Sequence, residues 1–320
     1  MGVFPESIDN FGRRTDRRRK RLVKTILSLT ALAVVVSAVF LVLPLVRSWK
    51  ETRQKLPTEE QILDAWSDKE YDKILNLCEI GLEQRPLDTL YLVMKGFASF
   101  YRGISETDGE VRTTYMDTAV FALRKAMASS SIPFKPQVLY VLGKAYYHKG
   151  PFYMDEAVRF LEASITEGYT AKDALEYVAV AYSSLGNYEK SVNAFEQALA
   201  QEKSDLLLLA AARAYVNFGQ PEKAEIAALE ALSMTEDAMV REKARFLLGG
   251  IYVARKDYRL AEEQYNLVIE MNPESADAHF YLGLIWQDKG DPIRARSEWR
   301  KAVSLDPMHT AARQKLAERI

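Results

Sequence analysis

The chain repeats itself with a period near 34 residues, and this period limits its possible folds more than any other feature. The clearest copy runs from Ala276 to Pro307. Its marker residues are Leu282, Gly283, Trp286, Gly290, Ala295, Trp299, Ala302 and Pro307. Stepping by 34 toward the N-terminus gives Leu248, Gly249, Tyr252, Lys256, Ala261, Tyr265, Val268 and Pro273. Chance does not explain so close a match in residue type.

Five earlier copies follow the same pattern with small offsets and insertions. They are marked by Tyr215 with Gly219, Tyr182 with Gly186, Tyr146 with Gly150, Gly96 with Gly103, and Trp66 with Tyr71. Apolar residues recur at helical spacing in each half of a copy, and Gly290-Asp291 and Pro307 predict a turn and a helix end. One such hairpin cannot bury its apolar face alone, so neighbouring copies must stack.

These residues resemble the tetratricopeptide repeat, a helix-turn-helix unit, over about 260 residues. The resemblance implies an all-α fold, a right-handed α-solenoid of about seven helix hairpins at residues 59–309. The charged segment 310–320 is expected to form a C-terminal capping helix.

An apolar segment, Ile26 to Val46, precedes the repeats and contains no charge over its 21 residues. As a helix it would be roughly 31 Å long, which matches the hydrocarbon thickness of a bilayer. It is too long for a signal peptide and lacks a small-residue cleavage site. We therefore expect an uncleaved transmembrane helix at 25–47, between a basic cytoplasmic tail at 1–24 and a linker at 48–58.

The basic run before this segment predicts its orientation. It comprises Arg13, Arg14, Arg17, Arg18, Arg19, Lys20, Arg21 and Lys24. Four basic residues follow the segment within a similar distance, so the positive-inside rule places the N-terminus in the cytoplasm. The expected location is the cell (inner) membrane, single-pass, with extracytoplasmic or periplasmic repeats. No nucleic-acid partner is expected, because residues 47–320 carry a net charge of −6.

The sequence contains no constellation of residues that indicates catalysis. His148, His279 and His309 fall in different repeats, and no glycine-rich nucleotide-binding motif occurs. Cys78 is the only cysteine, which excludes an intrachain disulfide and a cysteine zinc site. We therefore expect neither an enzyme nor a bound metal, cofactor or small-molecule substrate.

The resemblance implies that the first helix of each hairpin lines a concave groove that binds a protein or peptide. The groove candidates are Phe97, Phe100, Tyr101, Tyr140, Lys144, Tyr147, His148, Arg213, Asn217, Phe246 and Phe280. The alternative is that some of them only pack beneath neighbouring repeats. Aromatic residues in the membrane-proximal half favour an apolar peptide or helix. Binding of an acidic C-terminus is disfavoured, because Tyr140, Glu176 and Leu209 occupy the expected clamp positions.

The leading hypothesis is a membrane-anchored scaffold or adaptor for assembly of an envelope complex, such as secretion or flagellar machinery. One alternative is a holdase-like chaperone for segments that emerge at the membrane. A second is an organellar import receptor with cytosolic repeats, which the charge bias opposes. The polar insertion Ile104 to Met116 is either a docking loop or an extended turn.

Overall fold

A computed structural model describes residues 55–169 and 171–318, and within these ranges the chain is helical without any strand. The first eight α-helices are α1 (Glu59–Ser67), α2 (Tyr71–Gln84), α3 (Thr89–Ile104), α4 (Gly109–Ala126), α5 (Lys135–His148), α6 (Met154–Thr166), α7 (Ala174–Ser184) and α8 (Tyr188–Gln201). The other seven are α9 (Asp205–Asn217), α10 (Pro221–Met234), α11 (Ala238–Ala254), α12 (Tyr258–Met271), α13 (Ala276–Asp288), α14 (Pro292–Leu305) and α15 (Thr310–Ala317). A short 3₁₀ turn, Pro151–Tyr153, precedes α6.

The helices pack in consecutive pairs, and each pair stacks on the next. Helices α1 to α14 form seven pairs, and the second helix of each pair contacts the first helix of the following pair. The first helices also contact one another from α3 through α5, α7 and α9 to α11. This arrangement confirms the predicted all-helical solenoid of about seven hairpins. The surface that α1, α3, α5, α7, α9, α11 and α13 present is called the first-helix face below.

Within a pair, glycine on the first helix lets a large side chain of the second helix approach closely. A Cβ atom on Gly283 would lie 2.3 Å from Nε1 of Trp299, and one on Gly249 would lie 2.5 Å from the Tyr265 ring. Trp299 and Tyr265 are almost fully buried at these contacts. The repeated glycine in the sequence therefore marks the position where two helices touch.

Successive pairs are also connected by hydrogen bonds from tyrosine hydroxyls to glutamates of the preceding pair. These bonds join Tyr182 to Glu162 at 2.5 Å, Tyr215 to Glu196 at 3.3 Å, and Tyr252 to Glu225 at 2.9 Å. Burial and the neighbouring carboxylate raise the pKa of each of these tyrosines to about 12. The recurring tyrosine of the sequence repeat therefore joins one repeat to the one before it.

The C-terminal segment forms a short helix on the last pair. In α15, Ala312 is buried against the core that contains Trp299. The Arg296 guanidinium donates to the carbonyls of Leu316 at 2.9 Å and Glu318 at 3.3 Å. These bonds satisfy carbonyl groups at a helix end that has no further intrahelical donors.

The insertion Ile104 to Met116 is mostly helix, and a docking loop is therefore the wrong interpretation of it. A turn of four residues, 105–108, separates α3 from α4, and the rest of the insertion lengthens α4 to 18 residues. Asp108 caps α4 by accepting from the backbone N–H groups of Glu110 and Val111. Arg112 donates two bonds to the Glu106 carbonyl, which fixes the turn.

Among the described residues, no helix has the length and apolar character needed to cross a membrane. The predicted anchor at 25–47 and the basic run at 13–24 lie outside the described residues.

Candidate functional site

Aromatic side chains from the first four helix pairs and their loops gather along the first-helix face. This aromatic cluster comprises Trp66, Tyr71, Phe97, Phe100, Tyr101, Tyr140, Tyr147, His148, Tyr169 and Tyr177. Adjacent ring centroids lie 4.9 to 6.1 Å apart, the shortest being the perpendicular pair Tyr147 and Tyr177. Such spacings are favourable for edge-to-face and offset packing. Seven of the predicted groove residues therefore lie in or beside one continuous cluster.

The cluster has a buried floor and a partly exposed surface. Phe97, Phe100 and Tyr140 are 6%, 1% and 6% exposed, so they pack beneath neighbouring repeats in this conformation. Tyr101, Tyr147 and His148 are half-buried and present part of each ring to solvent. The accessible aromatic surface is therefore provided by this second group together with Tyr177.

Lys144 on α5 lies at the centre of the cluster, and its ammonium group is fully engaged. Its Nζ lies 2.8 Å from Oδ2 of Asp173 and donates to the Tyr140 hydroxyl at 3.0 Å. The same nitrogen lies 4.5 Å from the Tyr177 ring centroid and 5.0 Å from that of Tyr140, which is cation–π distance. The Tyr140 hydroxyl also donates to Asp173. Side-chain and ring contacts thus hold α5 against α7.

The protonation states in this network follow from burial and from the lysine. Burial would raise the pKa of Asp173, but hydrogen bonds from Lys144 and Tyr140 outweigh it and lower that pKa. Burial and the carboxylate of Asp173 raise the pKa of Tyr177 to about 12. Burial, with the positive charge of Lys144, lowers the pKa of His148 to about 4. At neutral pH the network therefore has a charged ion pair, neutral phenols and a neutral imidazole.

This charge state bears on the kind of ligand the face accepts. Lys144 is already paired with Asp173, so it has little positive charge to offer a terminal carboxylate. Glu176 adds a second carboxylate nearby, and burial together with the charge of Asp173 raises its pKa. The structure therefore gives no support to recognition of an acidic tail by the aromatic cluster.

The remaining predicted groove residues lie further along the first-helix face. Arg213 and Asn217 are exposed on α9. Phe246 on α11 is half-buried and its ring centroid lies 6.0 Å from that of Tyr281. Phe280 on α13 packs against the terminal core and lies 5.0 Å from the His309 ring. These four residues do not join the aromatic cluster.

The groove prediction omitted Asp173, Tyr177, Tyr169 and Tyr281. Asp173 and Tyr177 are four residues apart, one helix turn, on the pair that follows Lys144. Asp277 and Tyr281 repeat this spacing on α13. That recurring Asp-x-x-x-Tyr spacing at the start of a first helix was the signal available in the sequence.

Within the described ranges, no group of three or more His, Cys, Asp or Glu side chains is placed to hold a metal ion. Cys78 is buried on α2, and this burial raises the pKa of its thiol to about 12. A thiol with so high a pKa is a poor nucleophile and a poor metal ligand.

Two models of the tetratricopeptide repeat match the chain, at residues 178–205 and 246–309. These two stretches are tetratricopeptide repeats. The first match begins within α7 and the second extends from α11 to the turn before α15. The other pairs have the same architecture with more divergent sequence.

Known proteins support the same repeat and fold. Over 135 residues the chain is 27% identical to tetratricopeptide repeat protein 37 of Xenopus laevis, which covers 41% of this chain but only 8% of that protein. The C-terminal part of a TPR repeat-containing protein from Cytophaga hutchinsonii superposes with a TM-score of 0.60 and 14% identity, over 81% of this chain and 99% of that chain. MamA from Desulfovibrio magneticus RS-1, from residue 41 to its end, gives a TM-score of 0.50 and 18% identity, over 56% and 99% of the chains. At these identities the superpositions show a shared fold alone.

Proposed function

We propose that this protein is a membrane-anchored scaffold whose tetratricopeptide repeats bind a segment of a partner protein on the first-helix face. The observation that carries the proposal is the aromatic cluster, which combines a buried floor with partly exposed tyrosine rings. Partly exposed tyrosines on a rigid base are typical anchors of protein–protein interfaces. The ion pair of Lys144 and Asp173 fixes that base, so the rings are ordered before a partner arrives.

The membrane anchor and the place of action rest on the sequence. The apolar segment Ile26 to Val46 and the basic run before it support a single-pass protein with extracytoplasmic repeats. The proposed role is assembly of an envelope complex. A reporter that is active only outside the cytoplasm, fused after Ile320, tests the orientation. A silent reporter on a stably produced fusion favours cytosolic repeats and an import-receptor role.

Site-specific photo-crosslinking in the full-length protein tests the binding face. A photoreactive residue at exposed Ser184, at the end of α7 on the first-helix face, is expected to capture one partner in stoichiometric yield. The same residue at exposed Gln201, on the second helix α8, is the matched control and is expected to capture little. Many substoichiometric products at Ser184 would favour the holdase alternative.

The variant Tyr147→Ala then tests the aromatic cluster itself. Tyr147 is half-buried and its ring packs against Tyr177, so its removal exposes no fully buried core. We expect at least a fivefold loss of crosslinking at Ser184. Unchanged crosslinking in a folded variant would exclude the cluster as the partner site.

A further inference from the structure

The groups that surround the Lys144–Asp173 ion pair at the α5–α7 interface recur, without the lysine, at the α11–α13 interface. The first set, called the lysine box, is Tyr140, Lys144, Asp173 and Tyr177. The second set, called the glycine box, is Phe246, Gly250, Asp277 and Tyr281. The members on α11 follow those on α5 by 106 residues, and the members at the start of α13 follow those at the start of α7 by 104. The two boxes thus occupy equivalent repeat positions and differ mainly at one of them, where lysine is replaced by glycine.

The lysine box shows what such an arrangement binds. Its ammonium group lies against a carboxylate and over the rings of Tyr140 and Tyr177, at 5.0 and 4.5 Å. The rings attract a cation through their negative faces, and the carboxylate neutralises its charge. The protein therefore contains its own example of a lysine side chain held by this set of groups.

The glycine box retains the aromatic residues and the carboxylate around a cavity of about 230 Å³. The Phe246 ring lies at 61° to that of Tyr281, and Tyr265 stacks on Tyr281 with centroids 5.2 Å apart. A Cβ atom on Gly250 would meet nothing within 4 Å, so glycine leaves the space open. The cavity is smaller than a drug-sized pocket, which is about 300–1,000 Å³, and suits a single side chain.

The charge of the glycine box is negative. Asp277 has 71% of its side chain exposed, and its Oδ1 lies 3.1 Å from Nε2 of His309. The other ring nitrogen of His309 accepts the backbone N–H of Ala312, so Nε2 is the nitrogen that donates to Asp277. The residues that line the cavity include no cation. The carboxylate charge at its edge is therefore available to a positive group.

The other first-helix interfaces in the middle of the array do not share this chemistry. The equivalent residues are Glu176, Val180, Leu206 and Ala210 between α7 and α9, and Leu209, Arg213, Lys243 and Leu247 between α9 and α11. Neither set combines aromatic rings with an aspartate. The box is therefore a property of two particular interfaces and not of the repeat in general.

We propose that the glycine box binds one lysine side chain of the partner, in the position equivalent to that of Lys144 in the lysine box. The lysine is assigned to a partner because the box lies on the first-helix face, and in this respect the inference rests on the proposed function. A partner segment would then contact the aromatic cluster at one end of the face and place a lysine in the glycine box toward the other.

A small-molecule titration tests the glycine box without the partner. The probe is Nα-acetyl-lysine methylamide, titrated into the full-length protein in detergent micelles and followed by ligand-observed NMR. Nα-acetyl-norleucine methylamide is the neutral control of similar shape. We expect the lysine derivative to bind at least fivefold more tightly. Equal binding of the two derivatives, or no binding of the lysine derivative, would overturn the proposal.

Four variants locate the binding. Gly250→Lys is expected to place a side chain of the protein in the cavity and reduce probe binding at least fivefold, whereas Gln201→Lys, which adds the same side chain on the exposed surface of α8, should leave binding unchanged. Tyr281→Leu is expected to weaken binding, and Tyr281→Phe should retain it because the ring face remains. Circular dichroism confirms that each variant is helical. If Gly250→Lys binds the probe like the unmodified protein, the probe occupies another site and the assignment is wrong.

This outcome is separable from that of the proposed function. Partner crosslinking at Ser184 and its loss in Tyr147→Ala depend on the aromatic cluster and need no lysine in the glycine box. The probe titration needs no partner. If the probe fails to bind, the proposal that the glycine box binds lysine is wrong, whereas the scaffold role is still tested by crosslinking.

Discussion

The lysine box and the glycine box have nearly the same groups at the same repeat positions, yet only the first contains a cation of the protein. In the first, Lys144 is 12% exposed and its ion pair is part of the packing between α5 and α7. In the second, Gly250 leaves a cavity edged by a carboxylate. The difference shows that one residue decides whether this interface holds an internal ion pair or an open cavity.

Removing the aspartate from each box is expected to give the largest contrast. Asp173→Ala leaves the ammonium of Lys144 without its carboxylate in a mostly buried position, and we expect a loss of about 2 kcal/mol in the free energy of unfolding. Asp277→Ala removes a mostly exposed carboxylate and its hydrogen bond from His309, and should cost no more than about 1 kcal/mol. Urea titrations of both variants measure the costs. Equal losses in the free energy of unfolding would show that the lysine box stabilises the fold no more than the glycine box does.

Hydrogen exchange locates the effect of Asp173→Ala. Because the ion pair joins α5 to α7, we expect faster exchange in these two helices and little change in α11 and α13. Equally faster hydrogen exchange in all helices would mean that the repeats unfold as one unit. The stabilities of the two boxes could then not be compared separately.

Converting the glycine box into a lysine box is expected to stabilise the protein. Gly250→Lys should gain about 0.8 kcal/mol from helix propensity and about 0.5–1 kcal/mol more from the ring faces and Asp277. Gly250→Met is the matched control, since it has similar length and propensity but no charge. The difference between the two variants in thermal or urea unfolding is the contribution of the box to binding a cation. If Gly250→Lys and Gly250→Met are equally stable, the charge of the lysine contributes nothing in the glycine box.

Acid is expected to destabilise the packing around the lysine box through His148. The low pKa of His148, about 4, lies below the ordinary histidine value of about 6.5, so the unfolded chain binds the proton first. Stability is therefore lost as the pH falls from about 6.5 toward 4. The equivalent residue beside the glycine box is Ala254, which cannot titrate. The effect at pH 5.5 should stay below about 1 kcal/mol, because part of the ring is exposed.

The variant His148→Gln tests this pH dependence. Between pH 7 and pH 5 the unmodified protein should lose more unfolding free energy than this variant, because the variant lacks the histidine that the unfolded chain protonates. Tyr147→Phe is the control and should keep the pH slope of the unmodified protein. A constant difference across this range would show that His148 is accessible to protons in the folded state.

The repeat and the helix pairs could be predicted from the sequence because they depend on residues with a single physical role. Gly283 and Trp299 are complementary in size, and Gly290 adopts a positive φ of 78°. The burial of Phe100 and Tyr140 could not be predicted, since an aromatic side chain at a groove position can face either the ligand or the next repeat. That choice depends on distant partners, His148 for Phe100 and Asp173 for Tyr140, which lie 48 and 33 residues further along the chain.

The insertion shows a second limit of the sequence. Its polar composition is typical of a loop, but two interactions stabilise a helix and a short turn instead. Asp108 caps a helix, and the Arg112 side chain closes the preceding turn. Both are local hydrogen bonds that residue type permits without requiring. The segment therefore extends α4, and the solenoid gains length at this pair in place of a flexible loop.

The smallest expected effect concerns the turn between the helices of the pair that contributes Phe246 and Gly250. Lys256 has φ 62° where the next pair has Gly290 at φ 78°, so a lysine occupies a backbone conformation that favours glycine. Lys256→Gly should relieve about 1 kcal/mol of strain, but greater freedom of the unfolded chain offsets part of this gain. A net stabilisation of about 0.5 kcal/mol is expected in urea unfolding. Lys256→Ala is the control, because alanine removes the same side chain but keeps the strain. If both variants change the unfolding free energy equally, loss of the lysine side chain explains the change and the backbone conformation does not. The turn at Lys256 would then be no more strained than the one at Gly290.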